Sequence, residues 1–439
     1  MGNNLFGTDG IRTTVGSGPL THTNIPRLGY AIACWATKKY GSPLRIILAH
    51  DSRISGEWMS STLMSGLLLA PITVEYARVL PTPAVCNLLQ QRADLHLGIV
   101  ISASHNAYQD NGIKIIDRIT GKTSQEDEET ISTWYHEQTF PSYREFGALN
   151  LYENAHQEYI RDVSNRFPSD LLAHKKVILD CAHGATSFVA PALFRAVGAE
   201  VIAIHNTPNG TNINDQCGAL HVNKLQNLML KEHADIGFAF DGDGDRVMAI
   251  TKQGTVKNGD DMLALLTGHP AYQQEKTIVG TIMSNHGLDL FLRTQEKQLV
   301  RTPVGDKYIA DYLQQHNGLL GGEQSGHIIL NDYLPTADSI VTAFRIIEII
   351  SQTDNWNLNT FTHYPQILVN VPVGQKRDLQ DPSIAAIIAD YEAQLNTGRL
   401  VVRYSGTENL LRVMVEDTEQ QTAQRISSSL ASTLQKELP

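Results

Sequence analysis

The chain has 439 residues, of which 42% are hydrophobic and 18% are charged, the composition of an ordinary water-soluble protein. This length exceeds what one hydrophobic core accommodates and predicts three or four domains of about 100–150 residues each. The formal net charge of −11 at pH 7 argues against a general nucleic-acid binder.

Several features of the sequence predict a cytoplasmic protein, and with the negative net charge they predict no nucleic-acid or membrane partner. Four cysteines lie far apart and form no Cys-x-x-Cys pair, which is typical of reduced thiols. No basic region followed by an apolar stretch opens the chain, so we predict no signal peptide. The longest apolar candidate, residues 63–74, is interrupted by Ser, Gly and Pro and is shorter than the ~20 residues of a membrane span.

Short β-rich runs, each followed by a small-residue turn and a helical stretch, recur along the chain. They lie at residues 44–49 before a helix at 57–69, at 177–180 before a helix that ends near 197, and at 278–283 before a helix after 287. This rhythm is typical of α/β layering. The runs start more than a hundred residues apart, so we predict three related α/β domains with boundaries near residues 150, 250 and 365. Strand-like runs at 366–373, 400–403 and 411–415 and a closing polar helix predict a smaller α+β domain.

Ser104 lies in a turn with His-Asn, directly after the apolar run at residues 97–100, where a strand would end. A serine hydroxyl can carry a phosphate, although a buried turn serine is the ordinary alternative. Lys114 follows within ten residues and could handle a proton or a phosphate charge. A phosphoserine carries about −1.5 to −2 charges and needs cations around it. The candidate cations are Arg12, His105, Lys114 and Arg246.

Asp241, Asp243 and Asp245 alternate after a second apolar run, residues 236–240. A calcium-binding EF-hand loop is excluded because its sixth and twelfth positions would be Arg and Lys. A dinucleotide-binding loop is excluded because it lacks the third glycine and its carboxylates would repel a pyrophosphate. In a plain polar turn the three carboxylates would repel one another without a cation. The pattern therefore predicts a Mg²⁺ site with coordination left open for a phosphate oxygen.

Two further loops carry polar groups suited to a phosphosugar. Glu323 and Ser325, two residues apart in a glycine-flanked segment, could bind adjacent sugar hydroxyls, with a hairpin-like turn as the alternative. Near the end of the chain, two guanidinium groups, two hydroxyls and a glycine backbone suit a phosphate dianion, with an ordinary polar turn as the alternative. These residues are Arg403, Ser405, Gly406, Thr407 and Arg412.

With these four loops in this order, the chain resembles the α-D-phosphohexomutase superfamily, and most closely its bacterial phosphoglucosamine mutase branch. The similar segments are residues 6–12, 51–56, 80–85, 102–114, 180–185, 208–218, 240–246, 322–327 and 403–416. The resemblance implies an α/β architecture of four domains around a central cleft, three related mixed α/β domains and a smaller C-terminal α+β domain. The domains would be residues 1–150 with a phosphoserine loop, 151–250 with a metal loop, 251–365 with a sugar-binding loop and 366–439 with a phosphate-binding loop.

The resemblance also implies an activity and a site. The activity is the interconversion of glucosamine 6-phosphate and glucosamine 1-phosphate, which feeds UDP-N-acetylglucosamine and cell-wall precursor synthesis. A phosphoserine at Ser104, one Mg²⁺ per chain and a bisphosphorylated sugar as intermediate or activator would be required, in a monomer or homodimer. The implied catalytic residues are Ser104, Lys114 as general acid/base, His105, Arg12 and Arg246. The implied Mg²⁺ ligands are Ser104, Asp241, Asp243 and Asp245, and the implied substrate contacts are Glu323, Ser325, His327, Arg403, Ser405, Gly406, Thr407 and Arg412.

The chain departs from the family pattern at four positions. Ala107 and Asn409 stand where proline is usual, Tyr404 replaces a proline found in part of the family, and Lys307 stands where arginine is common. Each lost proline costs about 1 kcal/mol of loop preorganisation and leaves the reacting groups in place. A phosphomannomutase/phosphoglucomutase, a non-catalytic phosphosugar-binding protein and a metal-dependent phosphatase remain alternatives. The segments 7–12 and 323–327 favour the amino-sugar branch.

Overall fold

The computed structural model describes residues 5–7, 9–137, 145–374, 376–395, 397–405 and 409–438. Within these residues four β-sheets follow one another along the chain. None of the helices in this part of the chain combines the length and the apolar character needed to cross a membrane.

The first sheet has six strands in the order β1-β5-β4-β2-β3-β6. The strands are β1 (Ile11–Thr14), β2 (Leu44–His50), β3 (Ile72–Val79), β4 (Leu97–Ile101), β5 (Asp110–Asp117) and β6 (Ala148–Leu151). The helices are α1 (Asn24–Tyr40), α2 (Gly56–Leu67), α3 (Thr82–Gln91) and α4 (Gln125–His136). Strand β2 pairs in parallel with β3 and β4, whereas β5 is antiparallel to both β4 and β1. Since Val100 pairs with Lys114, the turn after β4 lies close to the lysine on β5.

The second sheet has the order β11-β10-β9-β7-β8. Its strands are β7 (Lys176–Asp180), β8 (Glu200–Ile204), β9 (Ile236–Phe240), β10 (Val247–Thr251) and β11 (Val256–Lys257). Its helices are α5 (Ala155–Ser164), α6 (Ala190–Ala196) and α7 (Asn223–Glu232). Strands β9 and β10 are antiparallel and Phe240 pairs with Val247, so the three aspartates occupy the turn between them.

The third sheet has the order β13-β12-β14-β15, and its last two strands form an antiparallel pair that carries residues 323–327. Its strands are β12 (Thr277–Thr281), β13 (Gln298–Thr302), β14 (Leu320–Gly322) and β15 (Ile328–Leu330). Its helices are α8 (Gly259–Leu266), α9 (His286–Thr294), α10 (Asp306–His316) and α11 (Ser339–Thr353).

The fourth sheet is wholly antiparallel, in the order β16-β18-β17. Its strands are β16 (Gln366–Pro372), β17 (Arg399–Tyr404) and β18 (Leu410–Glu416). Its helices are α12 (Pro382–Glu392) and α13 (Gln420–Glu437), the second being the predicted closing polar helix.

A common four-strand arrangement links the first three sheets. Each contains two parallel pairs followed by one antiparallel pair, in β3-β2-β4-β5, β8-β7-β9-β10 and β13-β12-β14-β15. The prediction of three related mixed α/β domains and a smaller α+β domain is therefore confirmed.

The first three domains share one hydrophobic core, whereas the fourth domain has its own. One continuous cluster of buried side chains includes Leu88 from the first domain, Phe194 from the second and Phe344 from the third. The rings of Phe194 and Phe344 lie 4.7 Å apart between centroids. The fourth domain has a separate core built on Val413 and Leu430. The first three domains thus share a packed base, on which the loops at the ends of their strands are positioned.

Candidate active site

Ser104 is buried in the turn after β4 and faces the second domain. Its hydroxyl donates to Asp241 Oδ2 at 2.7 Å and lies 3.4 Å from His105 Nδ1. Its backbone has a φ of +50°, in the left-handed region that is unfavourable for a residue with a Cβ. The predicted phosphoryl-carrying loop and the predicted metal loop, which are 137 residues apart in sequence at this contact, therefore meet.

The three aspartates form a compact buried group whose ligand oxygens all lie within 4.8 Å of one another. Asp241 Oδ1 accepts the backbone N–H groups of Gly244, Asp245 and Arg246, each at 3.1 Å. Burial, and then repulsion by Asp245 and Asp243, raises the pKa of Asp241 well above its usual value. Asp243 Oδ1 and Asp245 Oδ1 are buried without a hydrogen-bond partner. Converging, unsatisfied carboxylate oxygens fit a hard divalent cation.

Lys114 lies among these carboxylates. Its ammonium is 2.9 Å from Asp243 Oδ2, 3.1 Å from Asp245 Oδ2 and 3.0 Å from Asp9 Oδ2. Burial alone would lower the pKa of Lys114, but these carboxylates raise it well above its usual value. The ammonium is therefore a fixed positive charge in this arrangement, which limits how readily it gives up a proton.

A cleft of about 180 Å³ brings the other predicted catalytic side chains beside the sugar loop. Its lining includes Arg12, His105, Arg246, Gly305, Glu323 and His327. The Nε groups of Arg12 and Arg246 are buried without an acceptor, so both guanidinium groups can still bind an anion. Burial, with the nearby Arg246 and Arg12, lowers the pKa of His105 to about 3. Burial and the two arginines thus oppose a positive charge on His105 in the unphosphorylated chain, and its role beside a phosphoserine stays a prediction.

The predicted sugar loop, residues 323–327, connects the two strands of a hairpin and also lines the cleft. Glu323 Oε1 accepts from the Gly305 backbone at 3.1 Å, and Ser325 Oγ is 3.4 Å from Glu323 Oε2. His327 is buried between two carboxylates, with Nδ1 3.7 Å from Asp245 Oδ2 and Nε2 3.6 Å from Asp306 Oδ2. Burial opposes a positive charge on His327, but Asp245 and Asp306 raise its pKa. The hairpin that was the alternative to a sugar loop thus brings polar groups into the cleft.

Arg403 and Arg412 face each other across the fourth sheet, where they form a directly opposed pair of β17 and β18. Burial and the charge of Arg412 lower the pKa of Arg403. Opposed like charges are unfavourable unless an anion lies between them. Ser405 is buried next to them, and Lys376 Nζ, which the sequence did not indicate, donates to its carbonyl at 3.1 Å. Gly406 and Thr407 lie outside the described residues.

Several residues of the site were not predicted. Asp9 pairs with Arg12 and Lys114, and Thr82 Oγ1 donates to Asp243 Oδ2 at 2.6 Å. Both lie in segments with a family resemblance, which was the available signal. Lys122 from the first domain pairs with Asp306 from the third, 184 residues away, and no local pattern indicates such a pair.

Family models match nearly all of the chain. They describe the α/β/α domains I, II and III of phosphoglucomutase/phosphomannomutase at residues 3–142, 157–254 and 258–365, and the C-terminal domain at residues 368–432. A phosphoglucosamine mutase of Coxiella burnetii is 38% identical over 448 residues, covering 99% of each chain. A phosphoglucosamine mutase of Geobacter sp. (strain M21) is also 38% identical, covering 99% of this chain and 98% of the relative.

Solved structures have the same fold at lower identity. A phosphoglucomutase/phosphomannomutase family protein of Burkholderia thailandensis superposes with a TM-score of 0.82 at 20% identity, covering 99% of this chain and 98% of that one. Aspergillus fumigatus N-acetylphosphoglucosamine mutase, solved in complex with GlcNAc-6P and magnesium, superposes with a TM-score of 0.67 at 17% identity. Its alignment covers 99% of this chain and 96% of that one.

Proposed function

This chain belongs to the phosphoglucosamine mutase family of the phosphohexomutases, which are isomerases, and from that membership we propose that it interconverts glucosamine 6-phosphate and glucosamine 1-phosphate. We propose that Ser104 carries the phosphoryl group and that a bisphosphorylated sugar is the intermediate. The observation that carries this proposal is the 2.7 Å contact of the Ser104 hydroxyl with the buried group of three aspartates. Full-length similarity at 38% identity supports the amino-sugar substrate.

Asp241, Asp243 and Asp245, together with the phosphate on Ser104, are proposed to hold one Mg²⁺. The unsatisfied oxygens of Asp243 and Asp245 support this assignment. The ion, when bound, offsets the negative charge that develops on the transferred phosphoryl group. The magnesium complex of the similarly folded Aspergillus fumigatus enzyme is consistent with it.

The proposed reaction balances without a further substrate. The bond between Ser104 Oγ and phosphorus breaks, and a sugar hydroxyl oxygen forms the new bond to phosphorus. The sugar hydroxyl loses one proton and Ser104 Oγ gains one, so the serine hydroxyl is restored. After the bisphosphate turns over in the cleft, its other phosphate returns to Ser104. Lys114 is the proposed proton-transfer group, and Arg12 and Arg246 bind the phosphate charge. His105, whose Nδ1 lies 3.4 Å from Ser104 Oγ, contributes a hydrogen bond to the phosphoryl-carrying group.

Two groups of residues are proposed to divide substrate recognition. Glu323, Ser325 and His327 contact the sugar, since Glu323 and His327 line the cleft with Arg12 and Arg246. The distal phosphate is bound by the opposed guanidinium pair and its neighbours, Arg403, Ser405, Gly406, Thr407 and Arg412. One loop must hold that phosphate in both orientations of the intermediate, so it recognises charge more than sugar.

Domain boundaries near residues 150, 250 and 365 remain part of the proposal, supported by family matches that end at residues 142, 254 and 365. Activity in the cytoplasm is also proposed, and the wide spacing of the four cysteines in the sequence, with no Cys-x-x-Cys pair, is consistent with it. The enzyme is proposed to be a monomer or a homodimer, and sedimentation measurements distinguish the two.

The proposal is tested with Ser104→Ala and, as a matched control, Ser65→Ala on the exposed face of α2. After incubation with a sugar bisphosphate, intact-protein mass spectrometry should find one phosphate on the wild type and on the control, and none on Ser104→Ala. Mutase turnover should be lost only in Ser104→Ala. Near-normal turnover in that variant would refute the mechanism.

The substrate is tested by assaying glucosamine, glucose and mannose 6-phosphates side by side. The highest kcat/KM is expected for glucosamine 6-phosphate. A preference for glucose or mannose would assign the chain to phosphomannomutase/phosphoglucomutase chemistry, and release of free phosphate without isomer formation would indicate a phosphatase.

A further inference from the structure

Two side chains from different domains bind the same two carbonyl groups of the Ser104 turn. Asn214 Nδ2, from the loop between β8 and α7, donates to Ser104 O at 2.8 Å and to Asn106 O at 3.0 Å. Arg53 Nη2, from the turn after β2, donates to the same two oxygens at 2.9 Å each. Each carbonyl therefore has both of its lone pairs engaged, one by each domain.

Arg53 anchors the turn to the first domain. Its side chain is fully buried, and its Nε donates to Asp51 Oδ2 at 2.9 Å. The same oxygen of Asp51 accepts from Ser102 Oγ at 2.6 Å, which in turn accepts the Ser104 N–H at 2.9 Å. Both polar groups of the Ser104 backbone are thus fixed by one buried network.

Asn214 connects the Ser104 turn by hydrogen bonds to the second domain, which also carries the proposed metal loop. Its backbone N–H donates to Ala182 O at 2.9 Å, so the loop that holds it is tied to the strand end at β7. Gly242, between two of the three aspartates, packs directly against this contact. A Cβ at Gly242 would lie 2.6 Å from Ser104 O and 2.8 Å from Asn214 Nδ2, which leaves no space for a larger residue.

We propose that Asn214 is a positioning residue that, together with Arg53, holds the Ser104 hydroxyl in register with Asp241 through the catalytic cycle. Ser104 has left-handed backbone geometry, which persists only where the surroundings determine it. The turn must also keep its place when the side chain gains and loses a phosphate. A misplacement of about 1 Å can cost ~100-fold in rate. The inference rests on the proposed function and assigns Asn214 a role that the reaction alone does not require.

The test uses Asn214→Asp and Asn214→Gly in the full chain. Asp has nearly the same shape but places a carboxylate against two carbonyl oxygens, and Gly removes the side chain while tolerating the φ of +59° at this position. Gln216→Gly is the matched control, because Gln216 lies in the same loop, is exposed and also has a positive φ, +51°. The probes are glucosamine 6-phosphate, Mg²⁺ and a glucosamine bisphosphate activator.

Both Asn214 variants should lower kcat by about 10- to 100-fold, with KM and the Mg²⁺ activation constant changed by less than about twofold. Hydrogen–deuterium exchange should become faster in the peptide that covers residues 102–110, and Gln216→Gly should match the wild type. A kcat equal to that of the control in both variants would overturn the proposal. A fall in kcat accompanied by a raised KM and a large drop in unfolding temperature would also overturn the proposal, because that pattern indicates general destabilisation.

The two proposals fail in different ways. A wild-type protein that interconverts no phosphosugar would refute the proposed function. The exchange measurement would then still decide whether Asn214 holds the turn, since unchanged exchange in both variants excludes it.

Discussion

Lys114 is surrounded by more negative charge than one ammonium can balance. Asp9, Asp243 and Asp245 all lie within 3.1 Å of it and keep it protonated. In the proposed reaction we therefore expect Lys114 to act first as a proton donor rather than as a free base. A cation bound to Asp243 and Asp245 would compete with the ammonium for two of these three partners. Proton loss from Lys114 would then cost less, so one lysine could serve both directions of the proposed transfer.

The exchange of Lys114 for arginine separates charge from proton transfer. Lys114→Arg keeps the positive charge but cannot give up a proton at physiological pH, so kcat should fall sharply with KM little changed. Lys114→Gln, which also leaves the carboxylates without their counterion, should lose activity and weaken binding as well. Steady-state kinetics on both variants gives the answer. An arginine variant with near-normal kcat would mean that the role is electrostatic only.

Asp243 tests the metal assignment because one of its oxygens has no partner and the other accepts from Thr82 and Lys114. Asp243→Asn should weaken Mg²⁺ binding and lower kcat by orders of magnitude, since a ligand charge is lost where negative charge develops. Calorimetric Mg²⁺ titration and the Mg²⁺ dependence of turnover are the measurements. The exposed Asp170→Asn serves as the control. Full wild-type activity in excess chelator would exclude a metal role.

Helix α11 connects the hydrophobic base shared by the first three domains to the loop of the three aspartates. Ser339, its first residue, donates through its hydroxyl to Gly244 O at 2.6 Å. Asp338 caps the helix by accepting the N–H groups of Ile340 and Val341 at 3.1 Å. Tyr159, from the second domain, donates to the other Asp338 oxygen at 2.9 Å. Although these bonds favour the carboxylate, burial raises the pKa of Asp338 to about 6.

This raised pKa gives a defined pH dependence of stability. Between about pH 4 and pH 6 the folded chain holds a proton on Asp338 that the unfolded chain does not. The free energy of unfolding therefore falls as pH rises through that window. Asp338→Asn stays neutral and still caps, so it should remove this pH dependence. The wild type should lose up to about 2–3 kcal/mol of the free energy of unfolding between pH 4 and pH 7 from this group, and Asp338→Asn should not. Urea unfolding between pH 4 and pH 8 measures the pH dependence of both proteins.

A second cap provides the opposite case. Asp381 caps α12 from an exposed position, and hydrogen bonds from Ser383 and Arg377 lower its pKa to about 2. Its contribution is present above the unfolded pKa and is lost as pH falls, so Asp381→Asn should destabilise the chain at neutral pH. If both asparagine variants responded to pH in the same direction, burial would not be the cause of the Asp338 effect.

Element positions follow closely from local sequence patterns, because hydrophobic periodicity is a local signal. The run at residues 236–240 is observed as β9, Ile236–Phe240, and the run at residues 177–180 lies within β7, Lys176–Asp180. Strand pairing is different. That β5 turns antiparallel against β4, and so brings Lys114 beside the Ser104 turn, depends on contacts between distant segments. The hydrophobic periodicity of a segment gives no information on which distant segment it pairs with.

At the scale of the whole molecule, the site exists only because domains meet. Thr82 of the first domain reaches Asp243 of the second, and Asn214 reaches Ser104 across 110 residues of sequence. The sequence predicts the proposed site residues in four loops, since each loop has its own residue pattern. It does not predict Asn214, Lys122 and Asp306, whose partners are set by domain packing. The resemblance to a family supplied what the residues alone could not, the order of the loops around one cleft.

The division of labour between the third and fourth domains gives the last prediction. The opposed pair of Arg403 and Arg412 is proposed to bind the distal phosphate, whereas Glu323 lies in the cleft with Arg12 and Arg246. Arg403→Ala should therefore weaken the binding of every phosphosugar by a similar amount, about 1.5–3 kcal/mol for a lost charged hydrogen bond. Glu323→Ala should instead change the ratio of kcat/KM between glucosamine and glucose 6-phosphates. Parallel kinetics with both sugars decides the matter, and a change of sugar preference in Arg403→Ala but not in Glu323→Ala would reverse the assignment.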